Sequence, residues 1–256
     1  MALQLGVQLF TLRQYTQSAD DLKFATSRIR SMGYRTIETA GFGDIDAAMV
    51  ADICEDNDIA ITATHTPWDR FKFDLDRVIE EHKMWQCQYA GVGMIPPKTY
   101  LSMTGLTRFL EELRPIAARL ATHDIRFVYH NHHHEFQHFD GKPWLAHLYD
   151  STTNDEVMAE FDTHWIVAGG GDPVAWIDGY ADRIAALHLK DFALNANGQR
   201  VFAPVGKGNL NWPAILEATK RQGIGHCYVE QDNCYGRDEF DCLEQSFRYL
   251  SPRLYS

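Results

Sequence analysis

Residues 125–136 read IRFVYHNHHHEF, so a hydrophobic run leads directly into four histidines within five positions and then a glutamate. The run from Ile125 to Tyr129 is typical of a buried strand, because it is short, apolar and rich in β-branched and aromatic residues. Side chains alternate across a strand, so His130 and His132 share one face. The pattern predicts a buried strand with a polar site at its carboxyl end.

Seven further short apolar runs resemble this strand, and longer amphipathic segments lie between them. The eight strand candidates are 4–9, 36–38, 59–64, 89–95, 125–130, 157–162, 184–190 and 227–230. Helical spacing of apolar residues marks a segment after Ser18 and the segments 47–57, 69–86, 105–122, 212–221 and 239–250. This alternation predicts parallel strands joined by crossover helices, and eight such units predict an α/β fold of the (β/α)8 TIM-barrel type. No linker or low-complexity tract interrupts the pattern, so we expect one domain over residues 1–256.

Local signals support these boundaries. Ser18 with Asp21 is typical of a helix N-terminus, Gly33 of a helix end, and either Asp44 or Asp46 of the next N-cap. A doubly wound open sheet would require a glycine-rich turn after the first strand, and residues 10–15, FTLRQY, contain no glycine. We interpret the glycines at 169–171, which precede Asp172 and Pro173, as a loop leading into a helix rather than a phosphate cradle.

The overall charge excludes some classes of partner. The chain has 24 basic and 35 acidic residues and a formal net charge of −11, which opposes binding to nucleic acids and to anionic membrane surfaces. No apolar run approaches the roughly 18 residues of a membrane-spanning helix, and the N-terminus lacks the basic start of a signal peptide. The five cysteines form no C-x-x-C pair, so we expect reduced thiols and a cytoplasmic protein.

Ionisable residues collect at the carboxyl ends of the predicted strands, where TIM barrels carry their active sites. They are Glu38, His65, His130, His132, Asp162, His164, His188, Lys190, Asp191, Glu230 and Asp232. Burying several such groups together is costly without a compensating ion. Imidazole nitrogens combined with carboxylate oxygens favour Mn²⁺, Co²⁺ or Zn²⁺. We therefore predict one divalent metal ion, with manganese among the candidates.

Five short motifs, in this order and spacing, resemble a known family. They are 129–132 (YHNH) followed by Glu135, 162–165 (DTHW), 187–191 (LHLKD), 206–208 (GKG) and 229–232 (VEQD). They are similar to motifs of the xylose-isomerase-like barrel of sugar isomerases and epimerases, to which inosose dehydratase and endonuclease IV are related. The resemblance covers nearly the whole chain.

The resemblance implies a ligand set. In that family one divalent ion is usually held by a glutamate after strand five, an aspartate after strand six, a histidine after strand seven and a glutamate after strand eight. The last three correspond to Asp162, His188 and Glu230, whereas His130 stands at the strand-five position. We predict these four as metal ligands, with His132 as alternate ligand or proton carrier. A histidine-rich strand five is similar to that of inosose dehydratase.

We infer proton abstraction from a carbon beside a carbonyl, through a metal-stabilised enediolate. Glu230 is the first candidate for the base and His132 the second. Lys190 either donates to the developing oxyanion or forms an ion pair with Asp162 or Asp232. The substrate-binding candidates, which would contact substrate hydroxyls or orient the ligands, are Glu38, His65, Glu135 and His164.

The expected function is therefore that of a metal-dependent isomerase or epimerase acting on a small sugar or cyclitol. The alternative is an inosose-dehydratase-like lyase acting on a keto-sugar or keto-inositol, and a non-catalytic sugar-binding barrel is a further reading. A DNA-repair endonuclease is disfavoured, because the charge is negative and strand four ends in 94–97, MIPP, without a histidine. The sequence leaves the oligomeric state open, a homo-oligomer included.

Overall fold

The computed structural model describes residues 3–255 as a closed barrel of eight parallel strands flanked by helices. The strands are β1 (Gln4–Gln8), β2 (Thr36–Thr39), β3 (Ala60–His65), β4 (Tyr89–Val92), β5 (Arg126–His130), β6 (Met158–Asp162), β7 (Ile184–Leu189) and β8 (His226–Val229). Their order in the sheet is β1-β8-β7-β6-β5-β4-β3-β2, so strands that follow one another in the chain are neighbours. The predicted (β/α)8 barrel is confirmed.

Eleven α-helices lie within residues 3–255. They are Ala19–Met32, Ala47–Asp56, Trp68–Phe73, Leu75–Met84, Pro97–Tyr100, Met103–Ala121, Trp144–Asp150, Thr163–Ala168, Pro173–Gly179, Trp212–Arg221 and Glu239–Leu254. Three 3₁₀ helices accompany them, at Leu9–Tyr15, His134–Phe136 and Ala181–Arg183. In the described part of the chain, none of these helices combines the length and the apolar character that crossing a bilayer requires.

The described chain forms two compact units, the first of which contains residues 3–62 and 186–255. In this unit β1 pairs with both β2 and β8, and β8 pairs with β7, all in parallel. Gly6 in β1 allows the close approach of its neighbours, because a Cβ there would lie 2.5 Å from Thr36 Oγ1 and 2.8 Å from the Tyr228 ring. Strands β1, β2 and β8 are buried along nearly their whole length, as parallel strands covered on both faces require.

The second unit, residues 63–185, contains β4, β5 and β6 in parallel register. An aromatic cluster fills the space between its strands and helices, and Trp68 contacts Phe109 at a ring separation of 4.9 Å. Helix Met103–Ala121 buries a full apolar stripe from Leu106 to Leu120. This packing fixes the ends of β5 and β6, where the predicted site residues lie.

The local boundary signals are confirmed. The Ser18 hydroxyl accepts a hydrogen bond from the Asp21 amide at 3.2 Å, and Gly33 ends the same helix with a left-handed φ of 115°. Asp46 is the N-cap of the second helix, because its carboxylate accepts from the Ala48 amide at 2.9 Å. Asp172 caps helix Pro173–Gly179 in the same way.

Several elements differ from the prediction, among them two in the helical layer. The expected helix 69–86 is two helices, because Asp74 leaves the helical region with φ −142° and its carboxylate pairs with Arg70. Helix Trp144–Asp150 was not predicted. Five of its seven residues are buried, so it lacks the one-sided apolar stripe that identifies a helix in sequence.

Asp191 anchors the loop that carries the GKG motif. Its fully buried carboxylate accepts hydrogen bonds from the backbone amides of Gly206 and Gly208 at 3.0 Å each, and from the Trp212 indole at 2.6 Å. The amides of Phe192 and Leu210 donate to the same carboxylate. One charged side chain thus accepts hydrogen bonds from five donors. It holds in place the segment that follows the hairpin formed by Asp191–Leu194 and Arg200–Ala203.

We expect Asp191→Ala to lower the free energy of unfolding by about 3 kcal/mol or more, because several buried donors lose their charged acceptor. Urea denaturation followed by circular dichroism measures the change. Asp44→Ala, which removes an exposed aspartate, is the control and should stay within about 0.5 kcal/mol of the parent. Equal stabilities of the two variants would contradict the anchoring role.

Candidate metal centre

His188 of β7 lies between two carboxylates in the first unit. Its Nε2 atom is 2.6 Å from Glu38 Oε2 and its Nδ1 atom is 2.8 Å from Glu230 Oε2. Strand β2 supplies Glu38, and Glu230 follows directly after β8. All three side chains are buried. The structure therefore brings together the two predicted metal ligands of this unit and the predicted candidate Glu38.

Gln8 fixes the direction of these hydrogen bonds. The Gln8 Oε1 atom accepts from the Phe10 amide at 2.9 Å, so its Nε2 group is the donor to Glu38 Oε2 at 2.6 Å. An ionised Glu38 accepts both hydrogen bonds, and the proton between it and His188 then belongs to imidazole Nε2. A neutral imidazole with a proton on Nε2 presents the lone pair of Nδ1 to Glu230. Two acceptors 2.8 Å apart require a proton or a metal cation.

Lys190 also contacts Glu230. Its ammonium group is 2.8 Å from Glu230 Oε2 and 2.9 Å from Asp232 Oδ1, and the side chain is almost completely buried. Of the partners considered for Lys190, the ion pair with Asp232 is present. A role of Lys190 towards a substrate oxyanion stays a prediction.

A second group of ionisable side chains lies in the other unit, along β5 and β6. Glu160 Oε2 is 2.6 Å from His65 Nε2 and 3.4 Å from His130 Nδ1. His130 Nε2 is 4.0 Å from Asp162 Oδ2, which exceeds hydrogen-bond length. The structure thus brings the predicted ligands His130 and Asp162 next to each other, with His65 alongside.

Glu160 was missed in the sequence. It precedes Asp162 by two residues, so it lies on the same face of β6 and is fully buried. The signal was available, because the alternation rule that groups His188 with Lys190 also groups Glu160 with Asp162.

Backbone contacts fix the orientation of Asp162. Its Oδ1 atom accepts from the Trp165 amide at 2.8 Å and caps helix Thr163–Ala168. The Asp162 amide in turn donates to Asn131 Oδ1 at 3.1 Å, which ties the end of β5 to the end of β6. Oδ2 remains as the oxygen on the side of His130.

Glu135 organises the histidine-rich loop after β5. It is fully buried and accepts from the Tyr129 hydroxyl and from the His132 amide, both at 2.9 Å. The His132 and His134 rings stack with an interplanar angle of 3°. These contacts give Glu135 a structural task, and its predicted contact with substrate stays a prediction.

The remaining histidines of this region surround Trp165. His164 is buried with its ring centroid 4.7 Å from the indole, and the His133 ring lies 5.2 Å from it. Burial lowers the pKa of His133, and the neighbouring His134 lowers it further. His133 is therefore uncharged at neutral pH. The predicted substrate contact of His164 stays a prediction.

Each unit places buried carboxylates beside imidazole rings. In the first, Glu38 and Glu230 contact His188, and the Lys190 ammonium contacts Glu230 and Asp232. In the second, Glu160 and Asp162 face imidazoles. Imidazole with carboxylate is a donor set that suits Mn²⁺, Co²⁺ or Zn²⁺. The residues present therefore fit a divalent cation.

A family model described as the xylose isomerase-like TIM barrel matches residues 27–251. The chain belongs to the xylose isomerase-like TIM-barrel family. Both the closed strand order and the polar strand ends of this xylose isomerase-like barrel agree with that assignment. No curated protein matches the sequence.

Solved structures with the same fold include three with informative names. A sugar phosphate isomerase/epimerase from Parabacteroides distasonis superposes with a TM-score of 0.82 at 23% identity, covering 99% of this chain and 96% of the other. A D-allulose 3-epimerase from Methylomonas sp. in complex with D-allulose superposes with a TM-score of 0.75 at 14% identity, covering 98% of this chain and 97% of the other. A probable 3-DHS dehydratase from Bacillus anthracis superposes with a TM-score of 0.73 at 13% identity, covering 97% of this chain and 99% of the other. At these identities the likeness establishes the fold of the xylose isomerase-like barrel.

We expect Lys190→Met to lower the free energy of unfolding by about 3 kcal/mol in chelator-treated protein, because it leaves two carboxylates without their shared cation. Lys142→Met is the matched control, since Lys142 forms an exposed ion pair with Asp150 that contributes about 1 kcal/mol or less. Chemical denaturation measures both. A Lys190 variant as stable as the Lys142 variant would contradict the proposed charge balance.

Proposed function

We propose that this protein is a divalent-metal-dependent sugar isomerase or epimerase that removes a proton from the carbon beside a carbonyl. One observation carries the proposal. In each unit a buried imidazole lies beside a buried carboxylate at the strand ends. His188 Nδ1 is 2.8 Å from Glu230 Oε2 in the first unit, and His130 Nε2 is 4.0 Å from Asp162 Oδ2 in the second. Two imidazoles and two carboxylates from the ends of different strands make a suitable set for Mn²⁺, Co²⁺ or Zn²⁺.

Within this set, His188 would bind the cation through Nδ1. Its Nε2 proton is donated to Glu38, which Gln8 holds in place. A carboxylate that accepts the second ring proton of a ligating histidine fixes the tautomer and raises the basicity of the other nitrogen. Glu38 is thus proposed to orient a ligand rather than to contact the substrate. When bound, the cation would polarise the substrate carbonyl and stabilise the negative charge that develops on its oxygen.

Glu230 is the proposed general base. Its Oε2 atom lies 2.8 Å from the Lys190 ammonium, and this contact favours the ionised carboxylate that a base requires. Lys190 is itself held by Asp232, so the ammonium is in position to donate a hydrogen bond when a substrate oxygen gains charge. His132, beside His130 at a ring separation of 5.1 Å, is the proposed proton carrier.

The names of similar structures support a sugar as substrate, since they include a sugar phosphate isomerase/epimerase and an epimerase bound to D-allulose. The net charge of −11 supports a small polar substrate rather than a phosphate backbone. We also propose that the protein is located in the cytoplasm.

A dehydratase is the second candidate. It is favoured by His130, which stands where a carboxylate usually follows strand five in the epimerases of this family. A probable dehydratase is also among the structures that share the fold. In this reaction the same abstraction of a proton would be followed by loss of a β-hydroxyl group.

Deuterium exchange tests the proposed reaction. We expect the Mn²⁺-loaded protein, incubated with a panel of ketoses and inososes in D₂O, to incorporate deuterium beside the carbonyl. Glu230→Gln should slow this exchange by about 10²–10⁴-fold, because the base is lost. Glu217→Gln, a change on an exposed helical position, should leave the rate unchanged. Rising enone absorbance would indicate the dehydratase, and undiminished exchange by Glu230→Gln would contradict its role.

We also expect Glu38→Gln to weaken Mn²⁺ binding by about 10–100-fold, because His188 loses the carboxylate that holds its Nε2 proton. Isothermal titration of the apo protein measures the affinity. Glu81→Gln is a matched control, since Glu81 is a buried carboxylate paired with Arg70 on an outer helix. Equal Mn²⁺ affinities of the two variants would remove the orienting role of Glu38.

A further inference from the structure

The histidine-rich loop after β5 contains a separate set of possible metal ligands within the second unit. His132, His134 and Glu135 each offer one ligand atom, and these atoms lie within 4.8 Å of one another. Glu135 is fully buried, whereas both histidines are half-buried, so one side of the set borders on solvent. Three protein ligands with one open side are typical of zinc sites that keep a position for water.

The contact between His134 and Glu135 has the spacing of two ligands of one ion. His134 Nε2 is 3.1 Å from Glu135 Oε1. Within residues 3–255, however, this nitrogen atom is buried and makes no hydrogen bond. A zinc ion that binds nitrogen and oxygen at about 2.0–2.2 Å holds the two atoms about 3–3.5 Å apart without directing one at the other. The geometry is thus better suited to a shared cation than to a hydrogen-bonded ion pair.

Buried neighbours hold Glu135 in the position of a ligand. The Tyr129 hydroxyl donates to its Oε1 atom and the His132 amide donates to its Oε2 atom, both at 2.9 Å. Phe136, the next residue, is buried and contacts Trp176 at a ring separation of 5.0 Å. Hydrogen bonds of this kind orient a ligating carboxylate. Because the three ligands lie within four consecutive positions of the chain, no large rearrangement is needed to bring them together.

Zinc is the cation that suits this set best. Two imidazole nitrogens with only one carboxylate favour Zn²⁺ over Mn²⁺, because affinity for such donors is higher for Zn²⁺ and Mn²⁺ prefers oxygen ligands. The four ligands of the proposed metal centre include two carboxylates, which suit Mn²⁺ as well. The two sets have no residue in common, so both can bind an ion in the same chain.

We propose that His132, His134 and Glu135 form a zinc site of their own, in addition to the proposed metal centre. One nitrogen of each imidazole and Glu135 Oε1 bind the ion, and water completes the coordination. A nitrogen atom that binds zinc cannot also carry a proton, so an occupied site withdraws His132 from the role of proton carrier. That consequence rests on the proposed function, whereas the zinc site itself does not.

Metal counting by equilibrium dialysis of chelator-treated protein tests the site. We expect the parent to bind about one more equivalent of Zn²⁺ than of Mn²⁺, because the added site selects zinc. His134→Asn should lose that equivalent, since it removes one ligand at a half-buried position. His138→Asn, which removes an exposed histidine of the same segment, should keep it. Failure of the proposed metal centre would show as absent Mn²⁺ uptake in all three proteins, and the difference in zinc between them would remain.

A crystal of the parent protein soaked with Zn²⁺ identifies the ligands, with data collected on both sides of the zinc absorption edge. We expect an anomalous peak about 2.0–2.2 Å from Glu135 Oε1 and from one nitrogen each of His132 and His134. The parent crystal carries the decision if the His134 variant fails to fold. Equal zinc uptake by the parent and His134→Asn, or no such peak beside these three residues, would overturn the proposal.

Discussion

The hydrogen-bonded row that runs from Gln8 through Glu38 to His188 and Glu230 is the constraint on which the site depends. Each member comes from the end of a different strand or from the residue that follows it. Because Gln8 can only donate to Glu38, an ionised Glu38 places a ring proton of His188 on Nε2. The lone pair of Nδ1 and the Glu230 carboxylate are then turned towards each other, and this is an unfavourable arrangement until positive charge is added.

This electrostatic requirement connects stability with function. Buried carboxylates lower the stability of a metal-free chain, and Lys190 offsets part of that cost by pairing with Glu230 and Asp232. In the proposed function, the same carboxylates would bind the divalent cation, and Glu230 would act as the ionised base. Within their own units, the Asp191 anchor and the Asp162 cap hold the loops that follow their strands.

Much of this was predictable from sequence, because a strand's period of two decides which residues share a face. The barrel, the helix caps at Ser18 and Asp172, and the position of Glu38, His130, Asp162, His188 and Glu230 at strand ends all follow from local pattern. The same period of two groups Glu160 with Asp162, so Glu160 could also have been found from local pattern. The role of Gln8 could not, because it depends on a contact with Glu38, which lies 30 residues further along the chain.

The most direct test of this account is a crystal structure of the protein soaked with Mn²⁺, with diffraction data collected on both sides of the manganese absorption edge. The account predicts one strong anomalous peak bound by His130, Asp162, His188 Nδ1 and Glu230, with Glu38 still hydrogen-bonded to His188 Nε2. No peak within bonding distance of these four residues, or a manganese ion bound through His188 Nε2, would contradict it.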